Sequence, residues 1–302
     1  MPDTFPNVLD STMIASFRAC PLQFRRAYIE SLRPKGEKSF DLVAGAAFAA
    51  GLEEARRAYI QGEKPNDALA VGLRAAILAY GPEDPPERKR NKALDIVLQG
   101  LVSYLEEWPL ATDPFRIAII GHSPAIEMSF AVPLPYKHPT TGQPLLYAGR
   151  CDWVATQDGG QTLFLVDDKT TGAFRQTWAE DWQLRGQFYG YMWAAYEYGI
   201  PVAGTIVRGT CLQLTQIKHL SAIVSYEEWK VRRWYTHLCY TIERMLEAWQ
   251  GNYWEMAMSD ACTSYSGCPY ARLCEVREPG PWIDLYYERR EWTPLRHAEV
   301  EA

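Results

Sequence analysis

The chain has 302 residues, 47% of them hydrophobic and 13% aromatic, which is enough to bury a sizeable core and excludes a disordered tether. Lys plus Arg number 31 against 37 Asp plus Glu, and the formal charge of −6 rules out a uniformly basic nucleic-acid coat while leaving room for a local basic groove. No run of about 18 apolar residues occurs, and "MPDTFPNVLDS" lacks the basic-then-apolar pattern of a secretory signal, so a cytoplasmic protein with no membrane partner is expected.

From Ser11 to about Trp108 apolar residues recur at three and four, the helical period. "STMIASFRACPLQFRRAYIESL" opens with Ser11 as an N-cap, and "FDLVAGAAFAAGLEEARRAYI" reads as a second helix. The prolines of "YGPEDPPERKRNK" make it a loop, and a further helix runs from about Lys92 to Trp108, stopping at Pro109. The period then changes to two. Ile126, Met128, Phe130 and Val132 share one strand face with Glu127 and Ser129 on the other, and "PLLYAGRCDWVAT" and "TLFLVDD" are two more strands. A helix from about Trp178 to Tyr198, a strand in "GTIVRGTCLQLTQ" and a helix from about Ser225 to Trp249 complete a β-β-β-α-β-α order.

Gly159-Gly160 in "QDGGQ" is a hairpin signal, because a type I′ turn needs positive φ at both positions. With those glycines as the turn, Asp158 pairs with Gln161, Asp152 comes opposite Asp167, and Arg150 opposite Lys169. Alternation puts Asp152, Asp167 and Lys169 on one face and Asp168 on the other. Opposed carboxylates about 5 Å apart are destabilising unless neutralised, most simply by a divalent ion. Two carboxylates with water and phosphate oxygens suit Mg²⁺, and a lysine beside them could orient or deprotonate a metal-bound water, which reads as phosphodiester hydrolysis. A carboxylate-x-Lys triplet arises by composition about twice in such a chain, so the hairpin register and the helix that follows carry the weight. In that helix Gln183, Gln187 and Tyr191, four apart, fall on one face and could bind phosphate and stack on a base; with Phe188 and Trp193, Tyr191 could instead be core.

These residues resemble the PD-(D/E)XK nucleases, in particular the RecB-like and phage-exonuclease branch that includes the CRISPR-associated adaptation exonucleases. The likeness rests on "GRCDWV", "VDDKTT" and "QFYGY", on the N-terminal "STMIASFRACPLQFRRAY" and "GAAFAAGLEEA", and on "CTSYSGCPYARLC" near the end, in that order from about Ser11 to Cys274. The resemblance implies an α/β, restriction-endonuclease-like core with a mixed central sheet flanked by helices. The expected layout is a single nuclease domain over 1–302, with an N-terminal helical region (11–110), the nuclease core (120–250) and a cysteine-cluster loop and tail (251–302). It implies that Asp152 and Asp167 bind Mg²⁺ or Mn²⁺ with the Asp168 carbonyl, that Lys169 assists the attacking water, and that Gln187 and Tyr191 contact DNA. Glu127 matches a glutamate of the first core strand that can serve a second metal, although a solvent-facing role is equally open. The implied activity is a deoxyribonuclease working from DNA ends in recombination, repair or phage DNA processing, beside a recombination, helicase or single-strand-binding partner. The rival is a catalytically weakened DNA-binding or scaffold subunit.

Seven cysteines, an odd number, argue against a complete disulfide framework. Cys262, Cys268 and Cys274 recur every six residues in a segment containing Gly and Pro and look like metal ligands, whereas Cys151, Cys211 and Cys239 lie in apolar segments and are assigned to packing. The resemblance adds Cys20 and a 4Fe–4S cluster; Zn²⁺ is the chemical alternative, and three structural thiols the plain one. One departure stands out. Where the branch carries a metal-binding histidine after "G-x-x", this chain has Phe48 after Gly45-Ala46-Ala47.

Overall fold

The computed structural model describes residues 4–36, 39–160, 162–263 and 267–294. Gln161, the expected partner of Asp158, and residues 264–266 of the cysteine segment lie outside them. In chain order the elements are β1 (Val8–Leu9), α1 (Ser11–Ala19), α2 (Pro21–Phe24), β2 (Leu32–Pro34), α3 (Phe40–Ile60), α4 (Pro65–Tyr80), α5 (Leu94–Glu107), β3 (Arg116–Ile117), β4 (Ile119–Ile120), β5 (Ser123–Pro124), β6 (Ile126–Lys137), β7 (Pro144–Gln157), β8 (Thr162–Thr171), α6 (Gly186–Glu197), β9 (Val202–Leu212), β10 (Ile217–Ser225), α7 (Glu228–Gln250), α8 (Ala271–Cys274), α9 (Gly280–Tyr286) and β11 (Tyr287–Arg289). The chain forms two compact units: Lys38–Met128 with Arg150–Glu227, and Met1–Glu37 with Ser129–Gly149 and Glu228–Ala302.

The first of these units holds a mixed sheet flanked by helices, the expected α/β architecture. β7 pairs antiparallel with β8, β8 parallel with β9, and β9 antiparallel with β10. The β7–β8 register, Trp153 opposite Val166 and Gln157 opposite Thr162, is the one counted outward from Gly159-Gly160, and both glycines have positive φ. The parallel β8–β9 pair requires a crossover, which α6 supplies. β10 is an element the sequence pattern missed, because "IKHLSAIVS" keeps only Ala222 and Val224 buried and so lacks a full apolar alternation. Beside the sheet, α3 and α4 cross where Gly51 and Gly72 meet: a Cβ on Gly72 would lie 2.5 Å from the Gly51 carbonyl oxygen, so only glycine permits this approach. Their apolar faces and α5 form a core of Phe48, Leu52, Tyr80, Leu101 and Tyr104.

In the other unit, β1 pairs parallel with the first half of β7, and β2 antiparallel with β11. Asp10, not Ser11, caps α1: its carboxylate accepts from the Met13 N–H at 2.7 Å and from the Trp292 indole at 2.8 Å. The helix stops at Ala19 because Cys20 is extended and Pro21 begins α2, where its missing N–H costs nothing. Among the described residues no helix is long and apolar enough to cross a membrane.

Candidate active site

β8 carries its charges where the β7 ladder ends. The last paired residues are Trp153 and Val166; beyond them the N–H of Asp168 donates to the Asp152 side chain at 2.6 Å instead of to a strand carbonyl. Asp167 is 2% exposed, and the Lys169 ammonium lies 2.6 Å from its Oδ1 as an ion pair. Burial, with Asp167 and Asp168 nearby, pushes the Asp152 carboxyl well above the ordinary carboxylate range, and burial also raises Asp167 against the pull of Lys169. Burial favours the neutral form of Lys169, but Asp167 and Asp152 outweigh it and hold the ammonium above its usual value. Two neighbouring carboxylates, one buried and one half-buried, sharing one lysine are a cation-seeking arrangement.

Glu127 joins this group. Its carboxylate pairs with Arg150 at 2.6 Å with only 9% of the side chain exposed, and burial pushes its carboxyl up to about 7. Its φ of 54° is uncommon for a residue other than glycine. The solvent-facing alternative for Glu127 is therefore set aside.

Gln187 and Tyr191 come together on α6, the Gln187 amide donating to the Tyr191 hydroxyl at 2.6 Å, and the Tyr191 hydroxyl feels both Asp167 and Asp152. Tyr191 is 6% exposed and packs on Phe188, so its ring is unavailable for the base stacking expected from the sequence; the hydroxyl is what meets the site. Gln183 does not share that face. The helix begins at Gly186, after a short 3₁₀ turn, and the Gln183 amide donates to the Ile223 carbonyl at 3.0 Å.

Phe48 is not at the site either. It is 1% exposed in the apolar core, its ring 5.8 Å from that of Tyr104. Gly45 approaches Thr170, Glu53 and Arg56 act on Glu127, and Arg56 reaches Asp168; the stripe these positions define passes through Ala49.

The sequence pattern overlooked the other face of β8. Asp168 is clamped by Arg56 at 2.7 Å and by the Tyr104 hydroxyl at 2.6 Å. Beside them Arg208 pairs with Asp113 at 2.7 Å, its guanidinium 4.8 Å from the Trp108 ring and 5.3 Å from that of Trp153. Arg56 was detectable in principle: a cation four residues after Leu52 on the buried stripe of α3 implies a buried partner.

In the other unit Cys20, Cys262, Cys268 and Cys274 line one cavity of about 230 Å³. Burial and the neighbouring thiols raise Cys268 and Cys274. Tyr270 and Tyr287 fix the segment by donating to the Leu32 and Pro269 carbonyls at 2.8 and 2.7 Å. Among the described residues no three His, Cys, Asp or Glu side chains converge tightly enough for a single ion.

No relative was found among curated proteins. Of solved structures, a Eubacterium rectale protein described as "Putative exonuclease" aligns over 92% of both chains at 10% identity with a TM-score of 0.47. A protein named SSO0001 aligns over 89% of this chain and 86% of its own at 12% identity with a TM-score of 0.36. Both likenesses are too distant to carry function. The family model of the PD-(D/E)XK nuclease superfamily, by contrast, matches residues 11–275, which span the hairpin, the α6 pair and all four cysteines of the cavity, and the chain belongs to that superfamily of phosphodiester-cleaving nucleases.

Proposed function

We propose that the chain is a Mg²⁺- or Mn²⁺-dependent deoxyribonuclease that works from DNA ends. The observation that carries this reading is the half-buried Asp152 beside the buried Asp167, with Lys169 paired to the latter. The donor set fits a hard divalent ion: two carboxylates, the Asp168 carbonyl, and Glu127 at the edge, all oxygen. Such an ion supplies a polarised water and charge neutralisation at the scissile phosphate. Lys169, paired with Asp167, is placed to orient or deprotonate the attacking water or to stabilise the phosphoryl oxygens. Gln187 and the Tyr191 hydroxyl form a polar pair that can hold the neighbouring phosphate. End-dependence, and a place in recombination, repair or phage DNA processing, come from the resemblance to the RecB-like branch. The scaffold alternative rested on a ligand missing from α3; with Phe48 in the core the position facing the site is Ala49, which offers no ligand either, so this second reading keeps that support and is opposed by the intact Asp152, Asp167 and Lys169 set. Incubating end-labelled linear DNA and closed circular DNA with and without Mn²⁺ tests the proposal: cleavage of the linear form alone, and only with metal, is expected, and equal loss of both forms would make the activity endonucleolytic.

The same reading assigns a 4Fe–4S cluster to Cys20, Cys262, Cys268 and Cys274. Four cysteines lining one cavity make up the all-thiolate set that a 4Fe–4S cluster or a zinc ion takes, and the resemblance favours the cluster. Anaerobically purified protein should contain iron and sulfide; stoichiometric zinc without iron would replace the cluster and keep the ligands.

A further inference from the structure

The geometry points to Arg56 and Tyr104 as positioning residues for the ion site, an inference that rests on the metal-dependent reading above: by gripping the Asp168 side chain they fix the peptide that seats Asp152. Past Val166, β8 has lost its backbone partner on the β7 side and is paired only with β9, as far as Thr171. Continuing the register would bring residue 151 opposite Asp168, but the ladder does not reach it, and the Cys151 thiol meets the Met128 carbonyl at 3.7 Å. The freed Asp168 N–H goes to Asp152 Oδ2. In an extended strand the N–H and C=O of one residue face the same neighbour, so the Asp168 carbonyl opens onto the same gap.

What sets the tilt of that peptide is the side chain on the far face. Asp168 Oδ2 takes Arg56 at 2.7 Å, Oδ1 takes Tyr104 at 2.6 Å, and Arg56 donates to the Tyr104 hydroxyl at 3.0 Å, a closed ring of three buried groups. The guanidinium also lies 4.8 Å from the ring of Trp153, the residue after Asp152. One arginine thus braces both strands at the residues adjoining the two metal-seeking aspartates. Loosening the ring would let the peptide rotate, and Asp152 and the Asp168 carbonyl would drift together.

The test uses the full chain, with Tyr104→Phe, which keeps the ring packing and deletes one bond, and Arg56→Lys, which keeps the charge but cannot span both partners. Mn²⁺ binding is followed by the electron paramagnetic resonance of free Mn²⁺ without DNA, and kcat and KM on linear DNA are measured across Mn²⁺ concentration. Outer partners of metal ligands change affinity about 10–100-fold, and a loss in that range is expected in both variants, with lower kcat partly restored by excess Mn²⁺ and an unchanged KM for DNA. Wild-type Mn²⁺ affinity in a folded Tyr104→Phe protein overturns the inference and leaves the ring a structural pair. Weakened Mn²⁺ binding in a protein that cleaves no DNA keeps the inference and removes the nuclease reading, whereas a wild type that binds no Mn²⁺ removes both.

Discussion

The two faces of β8 treat neighbouring aspartates in opposite ways. Asp168 is buried and fully compensated, each carboxylate oxygen matched by a donor from α3 or α5. Asp167 is equally buried, yet it shares its lysine with Asp152, whose own bond is to a peptide N–H. Burial alone therefore does not single out the carboxylates proposed to bind metal. The mark is a deficit of positive charge, because evolution of stability alone would have neutralised or removed buried like charges.

That contrast can be broken most forcefully on the deficient face. Asp167→Asn should lower cleavage about a thousandfold or more, since several kcal/mol of metal-derived stabilisation goes with the ligand, while the melting temperature of the metal-free protein holds. Activity assays paired with thermal melts check both halves. On the compensated face the order reverses: Arg56→Met strands Asp168 and should cost about 3–5 kcal/mol in denaturant unfolding, as removal of one partner of a buried pair does.

A smaller effect separates the two readings of α3. Phe48→His places an imidazole in the core and should lose about 1–3 kcal/mol without improving Mn²⁺ affinity, whereas Ala49→His should tighten Mn²⁺ binding in calorimetry. Tighter binding in Phe48→His would reverse the assignment of the stripe. pH sharpens the comparison further. Glu127 is raised from 4.5 to about 7 on folding, so its contribution to metal-free stability is fully present below about 4.5 and is lost as pH climbs through about 7. Protons must leave before an ion binds, so Mn²⁺ affinity should rise over the same window, and Glu127→Gln should flatten the melting-temperature slope there. The weakest expected effect is that of Gln183→Ala, whose single exposed bond predicts a stability change within about 0.5 kcal/mol and unaltered DNA affinity.

How much of this was legible beforehand depends on how far apart in the chain the cooperating residues lie. Counting outward from the two glycines gave the register from Gln157 to Trp153, but the ladder ends at Trp153 and Val166, so the expected pairs Asp152–Asp167 and Arg150–Lys169 are not formed and Arg150 binds Glu127 instead. Gln187 and Tyr191 followed from helical spacing. Gln183 failed the same rule because the helix began three residues after it, and boundaries depend on capping details that periodicity does not encode. The orientation of Phe48 and the partnership of Asp168 with Arg56 and Tyr104, 112 and 64 residues away, were decided only by the packing of α3 and α5 on the sheet. The sequence by itself determined which charges share the β7–β8 hairpin, since strand geometry is local; tertiary structure alone decided which of them are neutralised, since compensation depends on what is packed against the strand.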